Sequence, residues 1–280
     1  MNKLQAFIKI LRPLNLILSL LSVFIAAFLC EAISSPLLPF TAMVVLSFAG
    51  ASNILNDVLD IHTDEINRPL RILPSGRMKI TEAVLFMAVL YGVGILSAFY
   101  LHPLGRNMGL IIVLPLLVLY TPLFKGIPLI GNLVVAAALG MVFLFTEAAL
   151  TGEITYMIVP FLLAMALSFI RELIKDAEDL EGDTQIQLRT FPNTFGIPAT
   201  LSVLRIVSIL LCIGAIFPWL EGWYGLPYLL LLIGGVELPL IYFIFFKLSS
   251  TSGNNDFSHS ASGLKIITVA GMAVILASGV

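Results

Sequence analysis

Asn53, Asn56, Asp57, Asp60 and Asp64 fall in one short run whose surroundings are otherwise apolar. On a helix, at about 100° per residue, Asn53, Asp57, Asp60 and Asp64 lie within about 60° of one another, so the run makes a single polar stripe. Three carboxylates that close repel one another unless a cation lies among them, and all-oxygen donors select a hard divalent ion. A second run holds Asp176, Glu178, Asp179, Glu181 and Asp183. Its Asp176, Asp179 and Asp183 repeat the three-then-four spacing of Asp57, Asp60 and Asp64. Two like stripes facing each other would hold Mg²⁺ and a polyphosphate between them, because Mg²⁺ commonly binds through one or two carboxylates plus substrate phosphates.

Cations suited to phosphate stand beside both stripes. Arg68 and Arg71 follow the first, Arg171 and Lys175 precede the second, Arg189 follows it, and Lys125 lies beyond Tyr120. Guanidinium forks and ammonium groups both bind phosphate oxygens. Acids for a metal beside bases for a phosphate is a recurring arrangement in diphosphate chemistry. A lone acidic run after a helix usually marks a solvated loop. The equal spacing and the basic neighbours favour a site, and so does Asn53, a polar group set inside an apolar stretch where such groups are costly. His62 is read as a solvated histidine without a catalytic role.

The elements that must position these residues are membrane helices. Of the 280 residues 59% are hydrophobic and 11% charged, with a net charge of −2. A soluble domain carries about 25% charged residues, so this chain cannot cover a water-facing surface. A spanning helix takes about 20 mostly apolar residues. Nine segments qualify: 14–33, 37–57, 83–101, 107–124, 129–149, 156–175, 199–218, 226–246 and 263–280. The first is read as a retained span and not a removed signal peptide. Long polar linkers are 58–82, 176–198 and 247–262, the last a flexible Gly- and Ser-rich loop over 249–263. With a cytoplasmic N-terminus, fourteen of the 15 Lys and Arg fall on the cytoplasmic side and only Arg106 on the other, which satisfies the positive-inside rule. All three long linkers then share the cytoplasmic face, where function is expected. Cys30 and Cys212 lie in apolar runs and are read as packing residues, not a disulfide.

At these residues the chain resembles the UbiA-type intramembrane prenyltransferases. The likeness rests on Asn56-Asp57-x-x-Asp60-x-x-x-Asp64 with Arg68-Pro69 and Arg71 after it, and on Arg171-Glu172-x-x-Lys175-Asp176-x-Glu178-Asp179-x-Glu181-Gly182-Asp183. It extends to Arg189-Thr190-Phe191-Pro192 and to Tyr120, Lys125 and Gly131-Asn132, which resemble the family's connection between fourth and fifth helices. The family usually has Arg-Pro where Arg71-Ile72 stands, so the path of that loop departs from the pattern.

The resemblance implies an all-α bundle of nine helices, one domain over 1–280, with a central cavity open to the cytoplasmic face and laterally to lipid. It implies Mg²⁺-dependent transfer of a polyprenyl group from its diphosphate to a lipophilic acceptor in the bilayer, with no nucleic-acid partner. The implied metal-binding residues are Asp57, Asp60, Asp64, Asp176, Asp179 and Asp183. Asn53, Asn56, Tyr120 and Lys125 join them in catalysis. Arg68, Arg71, Lys125, Asn132, Arg171, Lys175 and Arg189 hold substrate. The chain looks most like the branch that forms the second ether bond of archaeal lipids, the digeranylgeranylglyceryl phosphate synthases, with a geranylgeranyl donor and geranylgeranylglyceryl phosphate as acceptor. Quinone-precursor and tetrapyrrole prenylation share the motifs. The reading from another class is a transporter using Glu147 and Glu237 inside the fifth and eighth spans. Transporters of that kind show broken helices and acids near the midplane, whereas these acids gather at one face.

Overall fold

The computed structural model describes residues 2–279, and among them every regular element is helical. A short helix α1 (Lys3–Ile10) leads into α2 (Pro13–Leu29), bent from it by 51°. Then come α3 (Leu38–Leu59), α4 (Ile61–Asn67), α5 (Ile80–Ala98) and α6 (Pro103–Phe124). They are followed by α7 (Ile130–Thr151), α8 (Ile158–Glu178), α9 (Leu180–Gln185) and α10 (Phe191–Leu220). The last two are α11 (Leu226–Lys247) and α12 (Asn254–Gly279).

All nine apolar segments coincide with helices. Seven helices are long and apolar enough to cross a membrane outright, and the bent pair α1–α2 makes an eighth. Helix α8 has 21 residues, about 31 Å of rise against a hydrocarbon core of about 30 Å, but Arg171, Glu172 and Lys175 occupy its last turns. Large apolar side chains face outward on these helices, Phe246 at 79% exposure and Ile111 at 69%, as hydrocarbon-facing surface does. The chain is a multi-pass membrane protein.

Two corrections follow. The linker 176–198 is mostly helical, holding the end of α8, all of α9 and the start of α10, and the 58–82 linker likewise holds α4. Residues 249–263 are not a flexible loop throughout, since α12 begins at Asn254. Asp256 stands three residues after Gly253 and its carboxylate accepts from the Gly253 N–H at 3.2 Å, so a polar start signal outweighs the Gly and Ser content. Val280, the last residue of the ninth predicted segment, lies outside the described residues.

The chain divides into two compact units. The first comprises the residues up to Phe124 together with Met141–Met157; the second comprises Lys125–Gly140 and the residues from Ile158 on. In the first unit α3 packs along α5, and Phe48 fills the space beside Gly94, where a Cβ would lie 2.5 Å from the ring. Ala6 and Ile10 of α1 share a small core with Ile54, Ile72, Leu73 and Met78, which ties the N-terminus and the 68–79 segment to α3. In the second unit α8 is the central helix, packed against α10 and α12 through Ile170, Leu173, Ile174, Leu204, Leu264 and Ile267. The Tyr228 hydroxyl donates to the Ala215 carbonyl at 2.7 Å, which satisfies a polar group that lipid would leave unpaired.

Arg12 sits at the α1–α2 corner with φ 55° and ψ 70°, a left-handed conformation that costs a residue with a Cβ about 1–2 kcal/mol. Asn2 and Gln5 cap α1 reciprocally, and Pro13 begins α2 where a missing N–H does no harm.

Candidate active site

The first stripe crosses a shallow break without losing its face. Asp60 ends α3 with φ −92° and ψ 10°, yet its N–H still donates to the Asn56 carbonyl at 2.8 Å, and the Asp64 N–H donates to the Asp60 carbonyl at 2.8 Å. The i to i−4 ladder therefore runs on into α4, and Asp57, Asp60 and Asp64 stay on one side. Asp57 and Asp64 are buried, at 4% and 5% exposure. Burying carboxylates requires cations beside them, and Arg71 supplies one to both. Its Nη1 donates to Asp64 Oδ2 at 2.5 Å and reaches Asp57 Oδ1 at 3.4 Å. Arg12 donates to the same Asp57 oxygen from the helix corner.

Arg71 is held by its own loop. Ser75 Oγ donates to the Arg71 carbonyl at 2.5 Å, and the Arg77 N–H donates to the Ile72 carbonyl at 3.1 Å. Gly76 takes φ 67° at the tip, and buried Ile72 and Leu73 anchor the turn below it. Arg68 closes α4, its N–H donating to the Asp64 carbonyl at 2.9 Å.

The two asparagines are directed differently. Asn53 Nδ2 donates to the Leu11 carbonyl at 3.0 Å, so it fastens the α1–α2 corner to α3. Asn56 Oδ1 accepts from Thr121 Oγ1 at 2.5 Å, which joins the stripe to the end of α6 beside Tyr120. Residues Tyr120–Phe124 form a wide π-type turn, a local irregularity common at functional sites.

The second stripe repeats the same construction. Asp179 sits at the α8–α9 break with φ −87° and ψ 5°; its N–H donates to the Lys175 carbonyl at 2.9 Å and its own carbonyl accepts from the Asp183 N–H at 3.0 Å. Asp183 is buried at 4% exposure. Asn132 Nδ2, on α7, donates to Asp176 Oδ2 at 2.7 Å. Glu172 accepts from Arg171 Nη1 at 3.0 Å and from Lys175 Nζ at 2.9 Å, an ion triad one turn before Asp176. Asp176 lies past the apolar stretch of α8. Burial pushes its carboxyl up to about 7, the neighbouring Glu172 and Asp183 push the same way, and the Asn132 amide and Lys175 oppose them. A further cation beside such a group favours its ionised form. Lys125 is half-buried and Arg189 exposed, each within this unit.

The structure therefore joins Asn56 to the Tyr120 region, Arg71 to Asp57 and Asp64, and Asn132 to Asp176. Among the described residues no three His, Cys, Asp or Glu side chains form a cage that could bind a metal alone. One or two carboxylates at a position is the donor set Mg²⁺ uses when phosphate and water complete its octahedron, so the residues present fit that ion. Glu147 is structural: its carboxylate accepts from the Tyr156 and Met157 N–H groups at 2.8 and 3.0 Å. His62 is exposed and faces Glu65 at 3.6 Å. Sequence reasoning missed Arg12 and Thr121 as partners of the stripe. A basic residue directly before a proline at a helix corner was the available signal for Arg12; nothing local marked Thr121.

Comparison with known proteins agrees with this geometry. The UbiA prenyltransferase family matches residues 16–262. A digeranylgeranylglyceryl phosphate synthase of Methanopyrus kandleri is 31% identical over 278 residues, 98% of this chain and 99% of that protein. The Natronomonas pharaonis synthase of the same name is 32% identical over 234 residues, 83% of this chain and 84% of its own. A solved digeranylgeranylglyceryl phosphate synthase superposes with a TM-score of 0.78 at 26% identity, covering 100% of this chain and 99% of that one. A UbiA homologue from Archaeoglobus fulgidus, solved with GPP and Mg²⁺, gives a TM-score of 0.68 at 16% identity over 96% and 99% of the two chains. The family match covers most of the chain and the relatives exceed 30% identity over more than two thirds of it, so the chain belongs to the UbiA prenyltransferase family and is a membrane-embedded prenyltransferase.

Proposed function

We propose that this enzyme transfers a geranylgeranyl group from geranylgeranyl diphosphate to the free hydroxyl of geranylgeranylglyceryl phosphate, forming the second ether bond of an archaeal lipid. The observation that carries the proposal is the duplicated stripe. Each consists of three aspartates at the same spacing, broken at the middle aspartate, with a buried last aspartate. Synthase-named relatives at 31–32% identity support the choice of acceptor.

Asp57, Asp60 and Asp64 of the first unit, and Asp176, Asp179 and Asp183 of the second, are the carboxylates proposed to hold Mg²⁺. When bound to a diphosphate, Mg²⁺ neutralises the charge that develops on the leaving group. Arg68, Arg71, Lys125, Arg171, Lys175 and Arg189 contribute cationic donors to the phosphate oxygens. Asn132 orients Asp176, and Asn56 with Thr121 orients the first stripe beside Tyr120. Asn53 serves indirectly by fixing the Arg12 corner. As the C–O bond to diphosphate breaks, C1 of the prenyl chain becomes an allylic cation. The acceptor hydroxyl attacks C1 and its proton passes to the departing diphosphate, while apolar helices keep water from competing for the cation. The distribution of Lys and Arg supports a cytoplasmic N-terminus and a site at the cytoplasmic face.

The test incubates purified protein with Mg²⁺, geranylgeranyl diphosphate and geranylgeranylglyceryl phosphate. The expected products are the diether phosphate and free diphosphate in equal amounts. Transfer only to an aromatic or tetrapyrrole acceptor would replace the acceptor assignment, and an unconsumed donor with every acceptor would sink the reading.

A further inference from the structure

Three cations at the N-terminal corner are not used by the stripes' phosphate chemistry: Lys9, Arg12 and Arg77. Lys9 lies on the last turn of α1, Arg12 at the left-handed corner, and Arg77 beyond the tip of the 68–79 loop. Both segments are fixed. Asn53 pins the Leu11 carbonyl, while Ile10, Ile72, Leu73 and Met78 share one buried core. Between them lies a cavity of about 180 Å³ lined by Lys9, Arg12, Asp57, Leu70, Arg71, Ile72 and Arg77. At about 30 Å³ per water molecule it has room for a phosphate group and its remaining hydration.

The walls bring four cations against a single carboxylate. Asp57 is held from this side by Arg12 and Arg71, and neither Lys9 nor Arg77 has a carboxylate partner among the described residues. A concave site with that excess of positive charge attracts a multiply charged anion. An arginine kept in a conformation that favours glycine, and placed directly before a proline, is there for its guanidinium. Asp60, Asp64, Asn56 and Tyr120 are absent from the walls, so the cavity is a separate compartment that meets the first stripe only at Asp57 and Arg71.

We infer that this cavity is a phosphomonoester site that holds the dianionic headgroup of the phosphorylated acceptor, with Lys9, Arg12 and Arg77 as its donors. The inference rests on the acceptor proposed above. A headgroup anchored beside Asp57 limits the acceptor hydroxyl to the few ångströms that a glycerol carbon chain spans from its phosphate. The cavity then sets specificity: a phosphorylated acceptor is retained and its neutral counterpart is not, because only an anion offsets the mutual repulsion of the converging cations. Leu70 and Ile72 supply the apolar margin on the same rim.

The test measures steady-state kinetics of wild type, Lys9→Gln, Arg77→Gln and the double variant in detergent free of phospholipid. Acceptor and donor concentrations are varied separately, and inorganic phosphate and glycerol phosphate serve as competitors. The expected result is a rise of tenfold or more in acceptor KM for the double variant, with donor KM held within twofold. Lys9→Arg should restore the acceptor KM, both small phosphates should compete with acceptor only in wild type, and geranylgeranylglycerol should respond to neither variant. An unchanged acceptor KM, or a parallel rise in donor KM, would overturn the site. An effect seen only after adding anionic phospholipid vesicles would also overturn it, in favour of a membrane headgroup. Wild type that turns over neutral acceptors alone would instead defeat the acceptor assignment, a result distinct from any of these.

Discussion

At the residue scale, the proposed site sets carboxylates in buried places and puts cations beside them. Asp57 and Asp64 are buried yet share Arg71, and Asp57 also receives Arg12. Asp176 has one neutral amide and Lys175 against burial and two repelling acids, so a cation bound beside it would relieve that repulsion. Asp57→Ala and Asp176→Ala are each expected to lower kcat by about 10²-fold or more, the scale of losing a contact that stabilises developing charge. Melting temperature should stay close to wild type in Asp176→Ala, and full activity in either variant would show that the carboxylate is not part of the site. Asn132→Ala removes only the orienting hydrogen bond, and a loss of about 10–100-fold is expected, as for other groups that orient a metal-binding side chain. Chelation by EDTA should abolish transfer, and added Mg²⁺ should restore it in wild type. Asp176→Ala should need more Mg²⁺ for half-maximal rate.

At the element scale, breaks and close approaches place these residues. Gly105, at the start of α6, lies against α7 so tightly that a Cβ would fall 2.3 Å from Ala149 Cα and 2.5 Å from its backbone nitrogen. Backbone cannot move aside as a side-chain tip can, so Gly105→Val is expected to destabilise by at least about 1–3 kcal/mol, the usual scale of overpacking. A thermal melt in detergent would read this, and an unchanged melting temperature would show that the two helices separate readily. The stripes themselves were legible in the sequence, because a three-then-four spacing of aspartates in an apolar setting has one geometric meaning on a helix. The membrane helices were legible for a similar reason, since apolar length marks a span, and seven of the nine segments lie in helices that qualify outright, with an eighth in the bent α1–α2 pair. The breaks at Asp60 and Asp179 were not, because the backbone ladder continues through them and leaves the spacing undisturbed. Nor was the start of α12, where Gly253 and Asp256 act as a cap inside a stretch whose composition resembles a loop. Pairings such as Asn56 with Thr121 join residues 65 apart and depend on packing that no local pattern encodes.

At the scale of the whole molecule, the question is which side of the bilayer the chemistry faces. Lys and Arg retained on the cytoplasmic side set the orientation of a multi-pass chain, and alternating the nine helical segments puts fourteen of 15 on one side. An odd error in the number of crossings would scatter these charges over both faces. The turn before α12 and the turn after α7 then fall on opposite sides, and each offers an exposed position: Thr251 and Glu153. In a background with Cys30→Ser and Cys212→Ser, Glu153→Cys should react with a membrane-impermeant maleimide in right-side-out vesicles. Thr251→Cys should react only in inverted ones. The opposite pattern would place both stripes outside the cell, away from a cytoplasmic supply of prenyl diphosphate. Labelling of both positions from one side would mean that an even number of the segments between them cross. Helix α8 is the segment most exposed to that outcome, because its ionic last turns bear the second stripe and shorten the apolar length left to span the bilayer.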